Sequence, residues 1–110
     1  MPLFPSLLIL KYIPHHNEKC YNTQKIDLAL EVNDKLKSIY EVKTIGDTQS
    51  IYTAVGQLFM HSSGFGNVEK WIVLPQSIHN TELIECLSKI DISIIWFSSQ
   101  NNRCDFYFNK

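Results

Sequence analysis

"KIDLALEVNDKLKSIYEVKT", residues 25–44, decides the fold. Ile26, Leu28, Leu30 and Val32 alternate with Asp27, Ala29 and Glu31, the period-two signature of a β-strand. Asn33-Asp34-Lys35 supplies a turn, and Lys37 to Thr44 form a second strand, so the stretch predicts a hairpin. On the second strand Glu41 and Lys43 share a side with Ile39, while Tyr40 and Val42 point the other way. Two opposite charges in so apolar a run need a reason.

Downstream, "IGD" at 45–47 breaks the strand, and Asp47 or Thr48 caps a helix over about Gln49 to Ser62. Its apolar spacing is Ile51, Val55, Leu58 and Phe59, and "SSGFGN" ends it. "KWIVLP" is nearly continuous in apolar residues, as expected of a central strand covered on both faces. A second helix follows from about Thr81 to Lys89, with Leu83, Ile84, Leu87 and Ile90 as its core stripe. Glu82 and Glu85 near its start suit the helix dipole. "ISIIWFS" and "CDFYFN" are two further strands joined by the polar turn "SQNNR". Upstream, "HHNEKCYNTQ" reads as a loop, and Leu7 to Ile13 as a short helix or a strand that Pro14 ends. After this N-terminal segment the order is β-β-α-β-α-β-β: one mixed α/β domain, residues 1–110, with helices on the sheet faces.

Composition narrows the function classes. With 45% hydrophobic and 19% charged residues the chain is globular rather than disordered. A formal net charge of −1 gives no global attraction to nucleic acid, so binding a polyanion requires a local patch or a metal ion. Cys20, Cys86 and Cys104 are odd in number and widely spaced, which argues against a disulfide framework or a four-ligand zinc site; His15 and His16 read as loop residues. Reduced thiols suit the cytoplasm. "MPLFPSLLIL" has no Lys or Arg before its apolar run, is interrupted by Pro5, and falls short of the roughly 20 residues a membrane span needs. The expectation is a soluble, cytoplasmic protein without a membrane partner.

Asp27 lies across the hairpin from Glu41 and Lys43, and strand parity permits the three to gather. Two carboxylates suit Mg²⁺, which is usually held by one or two of them and keeps several waters. Such an ion polarises a phosphoryl oxygen and lowers the pKa of its bound water. A neighbouring lysine can stabilise the forming hydroxide and the charge growing on phosphate.

Ile26-Asp27, Glu41-Val42-Lys43 and the helical "AVGQLFMHS" resemble the PD-(D/E)XK nuclease superfamily, the restriction-endonuclease-like enzymes, over Lys25 to about Ser98. Glu41 opens the Glu-x-Lys motif fourteen residues after Asp27. The resemblance implies a mixed central sheet flanked by helices and a Mg²⁺-dependent endonuclease, Mn²⁺ being able to substitute. Asp27 and Glu41 would bind the ion with the main-chain carbonyl of Val42. Lys43 would orient and activate the attacking water, and Gln57 would help position Lys43, the water or the nucleic-acid backbone. The implied substrate is nucleic acid, DNA more than RNA, and the implied assembly is a homodimer or a complex with a larger partner protein. Two departures stand out. The glutamine motif of the family ends in an aromatic, and here His61 takes that place. Many members carry a glutamate on a helix before the first core strand, and here that region holds only Glu18, in a predicted loop, as a candidate third ligand. The contrasting reading is a binding or assembly module that keeps the nuclease fold without cutting. An intact Asp, Glu, Lys and Gln set argues against it.

Each residue also has a plain reading. Asp27 resembles Glu31, an ordinary charge on the same side of the strand. Glu41 and Lys43 as a surface ion pair would contribute only about 0–1 kcal/mol. Gly56 beside Gln57 suggests a close helix-to-sheet approach. His61 reads as a polar helix end rather than a general acid. Trp71, Trp96 and "DFYF" read as core and sheet-edge packing rather than base-stacking platforms.

Overall fold

The computed structural model describes residues 18–21, 27–78, 81–100 and 103–109. A six-stranded mixed sheet runs in chain order: β1 (Glu18–Tyr21), β2 (Leu28–Val32), β3 (Lys35–Val42), β4 (Glu69–Pro75), β5 (Ile92–Gln100) and β6 (Arg103–Asn109). Helix α1 (Thr48–Ser62) connects β3 to β4. A 3-10 turn (Gln76–Ile78) and helix α2 (Thr81–Lys89) connect β4 to β5. The β3–β4 and β4–β5 pairs are parallel and the others antiparallel. The mixed α/β class expected from the sequence is present. The readings of His15, His16 and the Leu7 to Ile13 segment lie outside the described residues, as do residues 101 and 102 of the "SQNNR" turn.

The β2–β3 hairpin turns on Asn33 (φ 54°) and Asp34 (φ 64°). Two consecutive left-handed residues match the tight turn whose twist suits a hairpin, and Asn and Asp tolerate that region better than most side chains. The ladder then slips. Glu31 pairs with Leu36 but Leu30 pairs with Ser38, which leaves Lys37 as the extra residue of a β-bulge. Beyond the bulge Leu28 faces Tyr40, and the same register carried one step further sets Asp27 opposite Glu41. Without the slip Asp27 would face Tyr40, and a one-residue shift exchanges the two faces of a strand.

Helix α1 starts where Asp47 caps it: Asp47 Oδ1 accepts a hydrogen bond from Ser50 N at 3.2 Å, and the Asp47 carbonyl accepts from Ile51 N at 3.1 Å. Helix α1 buries Ile51, Ala54 and Leu58, and α2 buries Leu87. These pack in one cluster with Ala29, Ile39, Ile72, Leu74, Ile94 and Trp96. Both helices therefore cover the same face of the sheet, a correction to the expectation of a sheet flanked on its two faces. The cause is topological. Successive parallel crossovers advance in one direction from β3 to β4 to β5, and crossovers of one hand then land on one face. The opposite face gathers strand residues: Leu28, Leu30, Tyr40, Trp71, Val73, Ile95, Phe97 and Phe106. Strand β4 is buried on both sides, as its apolar run implied. Trp71 and Trp96 belong to the core, with Trp71 stacked on Tyr40 at 6.0 Å between ring centroids.

Three further expectations are corrected. "EKCY" is not loop but strand β1, antiparallel to β2; its four residues are too short and polar to show a period. Ala29 is fully buried beneath the helices, so the apparently polar side of β2 is a covered face. Gly56 is exposed on α1, and a Cβ built there would meet nothing within 4 Å, so it marks no close approach to the sheet. Gly46 is the tight glycine instead: its Cβ would run into the Ile78 side chain. Among the described residues no helix is long and apolar enough to cross a membrane.

Candidate functional site: a buried carboxylate pair

The register of the hairpin determines the site. Asp27 immediately precedes β2, and its Oδ2 accepts a hydrogen bond from the main-chain N–H of Val42 at 2.8 Å. That bond replaces a ladder partner at the end of β3. In an extended strand a residue's N–H and C=O leave on the same edge, so the Val42 carbonyl also heads toward Asp27. Lys43, one residue further, gives its N–H to the Val73 carbonyl of β4 at 3.0 Å. The Glu41-Val42-Lys43 backbone is thus held from both sides, by Asp27 and by β4.

Glu41 is 1% exposed and packs under helix α1. Its carboxyl pKa is pushed up to about 8, first by burial and then by the negative charge of Asp27 and a hydrogen bond shared with that carboxyl; Lys43 acts in the opposite direction. Two carboxyls sharing one proton is the electrostatic signature of a pair too close for both to ionise. At neutral pH Glu41 holds its proton unless a cation replaces it.

Helix α1 supplies the roof. His61 Nδ1 lies 3.9 Å from Glu41 Oε1, too far for a hydrogen bond. Gln57 is one turn earlier on the same face of the helix, because side chains four apart are neighbours. Glu41 Oε1, Gln57 Oε1 and His61 Nδ1 are all buried without a hydrogen-bond partner. A buried unpaired polar atom costs about 1–3 kcal/mol, so these three call for partners that the described side chains do not supply. The donor set suits a hard cation: two carboxylates, an amide oxygen and a main-chain carbonyl. Among the described residues no group of three or more His, Cys, Asp or Glu side chains forms a ready-made metal cluster. An ion here would rest on two carboxylates plus neutral oxygens and water.

The structure thus brings together Asp27, Glu41, Val42 and Lys43, with His61 above Glu41 and Gln57 one turn earlier on the same helix. It separates Glu18. The Glu18 backbone pairs with Val32, at the far end of β2, five residue steps from Asp27 or about 16 Å at the usual rise. The Glu18 backbone is therefore remote from the Asp27 end of β2. Sequence reasoning missed the contact of His61 with Glu41. The four-residue spacing from Gln57 to His61 was the available signal.

Comparison with known proteins adds no identification: no family model matches the chain, and neither a curated protein nor a solved structure does.

Proposed function

We propose that the chain is a small metal-dependent phosphodiester hydrolase of PD-(D/E)XK type, with a restriction-endonuclease-like core, acting on DNA in the cytoplasm. The observation that carries this reading is the Asp27–Glu41 carboxyl pair, with Glu41 buried beside Asp27 and the Asp27 carboxylate on the Val42 N–H at 2.8 Å. Asp27 and Glu41, with the Val42 carbonyl and the Gln57 amide oxygen, would hold Mg²⁺. The bound ion would polarise the phosphate and acidify its water. Lys43, half-exposed just past the end of β3, would orient that water and offset charge growing on the phosphate. Water adds to phosphorus, one P–O ester bond breaks, and the departing oxygen is protonated. The metal also provides the local positive charge that a net −1 chain lacks.

The test is cleavage of plasmid and short DNA and RNA substrates by the purified chain, with Mg²⁺ or Mn²⁺ and with chelator. Cleavage should require the metal and should vanish in Lys43→Ala while circular dichroism is unchanged. Metal binding by calorimetry without cleavage of any substrate would replace this reading with a non-cutting module of the same fold. Cleavage that survives Lys43→Ala would assign the activity elsewhere.

A further inference from the structure

Helix α1 carries no Asp, Glu, Lys or Arg, and none occurs anywhere between Asp47 and Glu69. A helix on the surface of a domain normally shows charges opposite its buried stripe. The buried stripe here is Ile51, Ala54 and Leu58. The opposite side instead shows Tyr52 (68% exposed), Phe59 and Met60 (74% exposed), grouped around Gly56 at spacings of three and four, with exposed Phe65 just past the helix end. Gly56 lies in open space at the middle of this face.

We infer that this face of α1 is a two-fold interface with a second copy of the chain, the helices crossing at Gly56. Three properties favour a second copy over other occupants. The helix contributes no charge to this face, so the face meets its own image with little like-charge repulsion, the Lys70 ammonium at its margin being seated over the Phe59 ring at 5.1 Å from the centroid. A glycine at the crossing lets two helix backbones approach closely, while Tyr52, Phe59 and Met60 fill the flanks. A membrane surface is disfavoured because interfacial helices carry Lys and Arg on the polar side, and α1 has neither. The area is adequate but modest. Large apolar side chains bury roughly 150–250 Å² each when fully covered. Four partly exposed ones give about 500 Å² per copy and about 1,000 Å² in all, the lower bound for a specific interface. The contact is a reversible dimer, and it leaves the flank of α1 bearing Gln57 and His61 facing Glu41. It does not depend on whether the chain cuts DNA.

Because the two-fold axis passes near Gly56, charge placed there meets its own copy. The test is sedimentation equilibrium of the full chain over a wide concentration range, for wild type, Gly56→Glu and Gly56→Lys. The space at Gly56 leaves each variant folded, which circular dichroism and thermal melting at low concentration verify. Wild type should dimerise reversibly, each variant should associate at least about tenfold more weakly, and an equimolar mixture of the two should regain the dimer. A wild-type chain monomeric into the millimolar range overturns the inference. A dimer unaffected by Gly56→Glu also overturns it and transfers the contact to the edge strand β6, where Tyr107 and Phe108 are exposed.

Discussion

The carboxylate of Asp27 accepts the main-chain N–H of Val42 at 2.8 Å and lies beside the buried carboxyl of Glu41. One side chain therefore does two things: it anchors the end of β3, and its charge adds to burial in raising the pKa of a second carboxyl. These roles separate by mutation. Asp27→Asn retains an acceptor oxygen for Val42 and removes the charge. It should keep the fold, lower the Glu41 pKa, and reduce metal-dependent cleavage at least about a hundredfold, as loss of an electrostatic partner at the reacting centre does. Asp27→Ala loses the hydrogen bond as well and should cost about 1–3 kcal/mol of stability in urea titrations. Equal stability of the Asn and Ala variants would show that the bond to Val42 does not hold the strand end.

Stability should depend on pH through Glu41. Its folded pKa of about 8 lies above the ordinary 4.5, so the folded state binds this proton more tightly than the unfolded state. Its contribution is complete below about pH 4.5, declines as pH rises through about 8, and is constant beyond. The steepest decline is about 1.4 kcal/mol per pH unit for one proton. Urea midpoints in chelator should therefore fall between about pH 4.5 and about pH 8 for wild type more than for Glu41→Gln, in which the proton cannot be lost. Parallel profiles for the two proteins would mean that Glu41 is not the titrating group.

Much of this arrangement is legible in the chain because local signals agree. The alternation from Ile26 to Val32, the apolar run of β4 and the spacing of Ile51, Leu58, Leu83 and Leu87 each specify one element. What the sequence conceals is geometric. The bulge at Lys37 adds one residue to the ladder without any glycine to mark it, yet it decides that Asp27 faces Glu41 rather than Tyr40. The placement of both helices on one face depends on strand order, which no window of residues encodes. The short polar strand β1 exists because β2 offers it an edge, not because "EKCY" prefers to be extended. His61 reads as a polar helix end because its partner, Glu41, lies twenty positions earlier in the chain, on β3.

The loop that follows the site is held by Gly46 against Ile78. A Cβ at position 46 would overlap the Ile78 side chain, which packs against the helix-side core. Gly46→Ala should destabilise by about 1–3 kcal/mol, the usual cost of overpacking. Ile78→Ala removes the obstructing atoms at its own cost, so the double variant should be more stable than the sum of the single effects predicts. Denaturation of all four proteins of the cycle reads this coupling, and strict additivity would show that the two residues do not press on one another.

Metal and proton compete for the same carboxyl pair, and that competition distinguishes a cation site from a merely structural acid. Glu41 must release its proton for both oxygens to face an ion, so below its pKa of about 8 the apparent Mg²⁺ affinity should rise with pH. The limit is about tenfold per pH unit, with about one proton released per ion bound. Calorimetry in two buffers of different ionisation enthalpy counts that proton directly. Asp27→Asn lowers the Glu41 pKa by removing its negative neighbour, so the rise should move to lower pH even as the maximal affinity falls. Binding that is independent of pH, or that persists in Glu41→Gln, would place the ion away from the pair and leave the buried carboxyls as a polar element of the core.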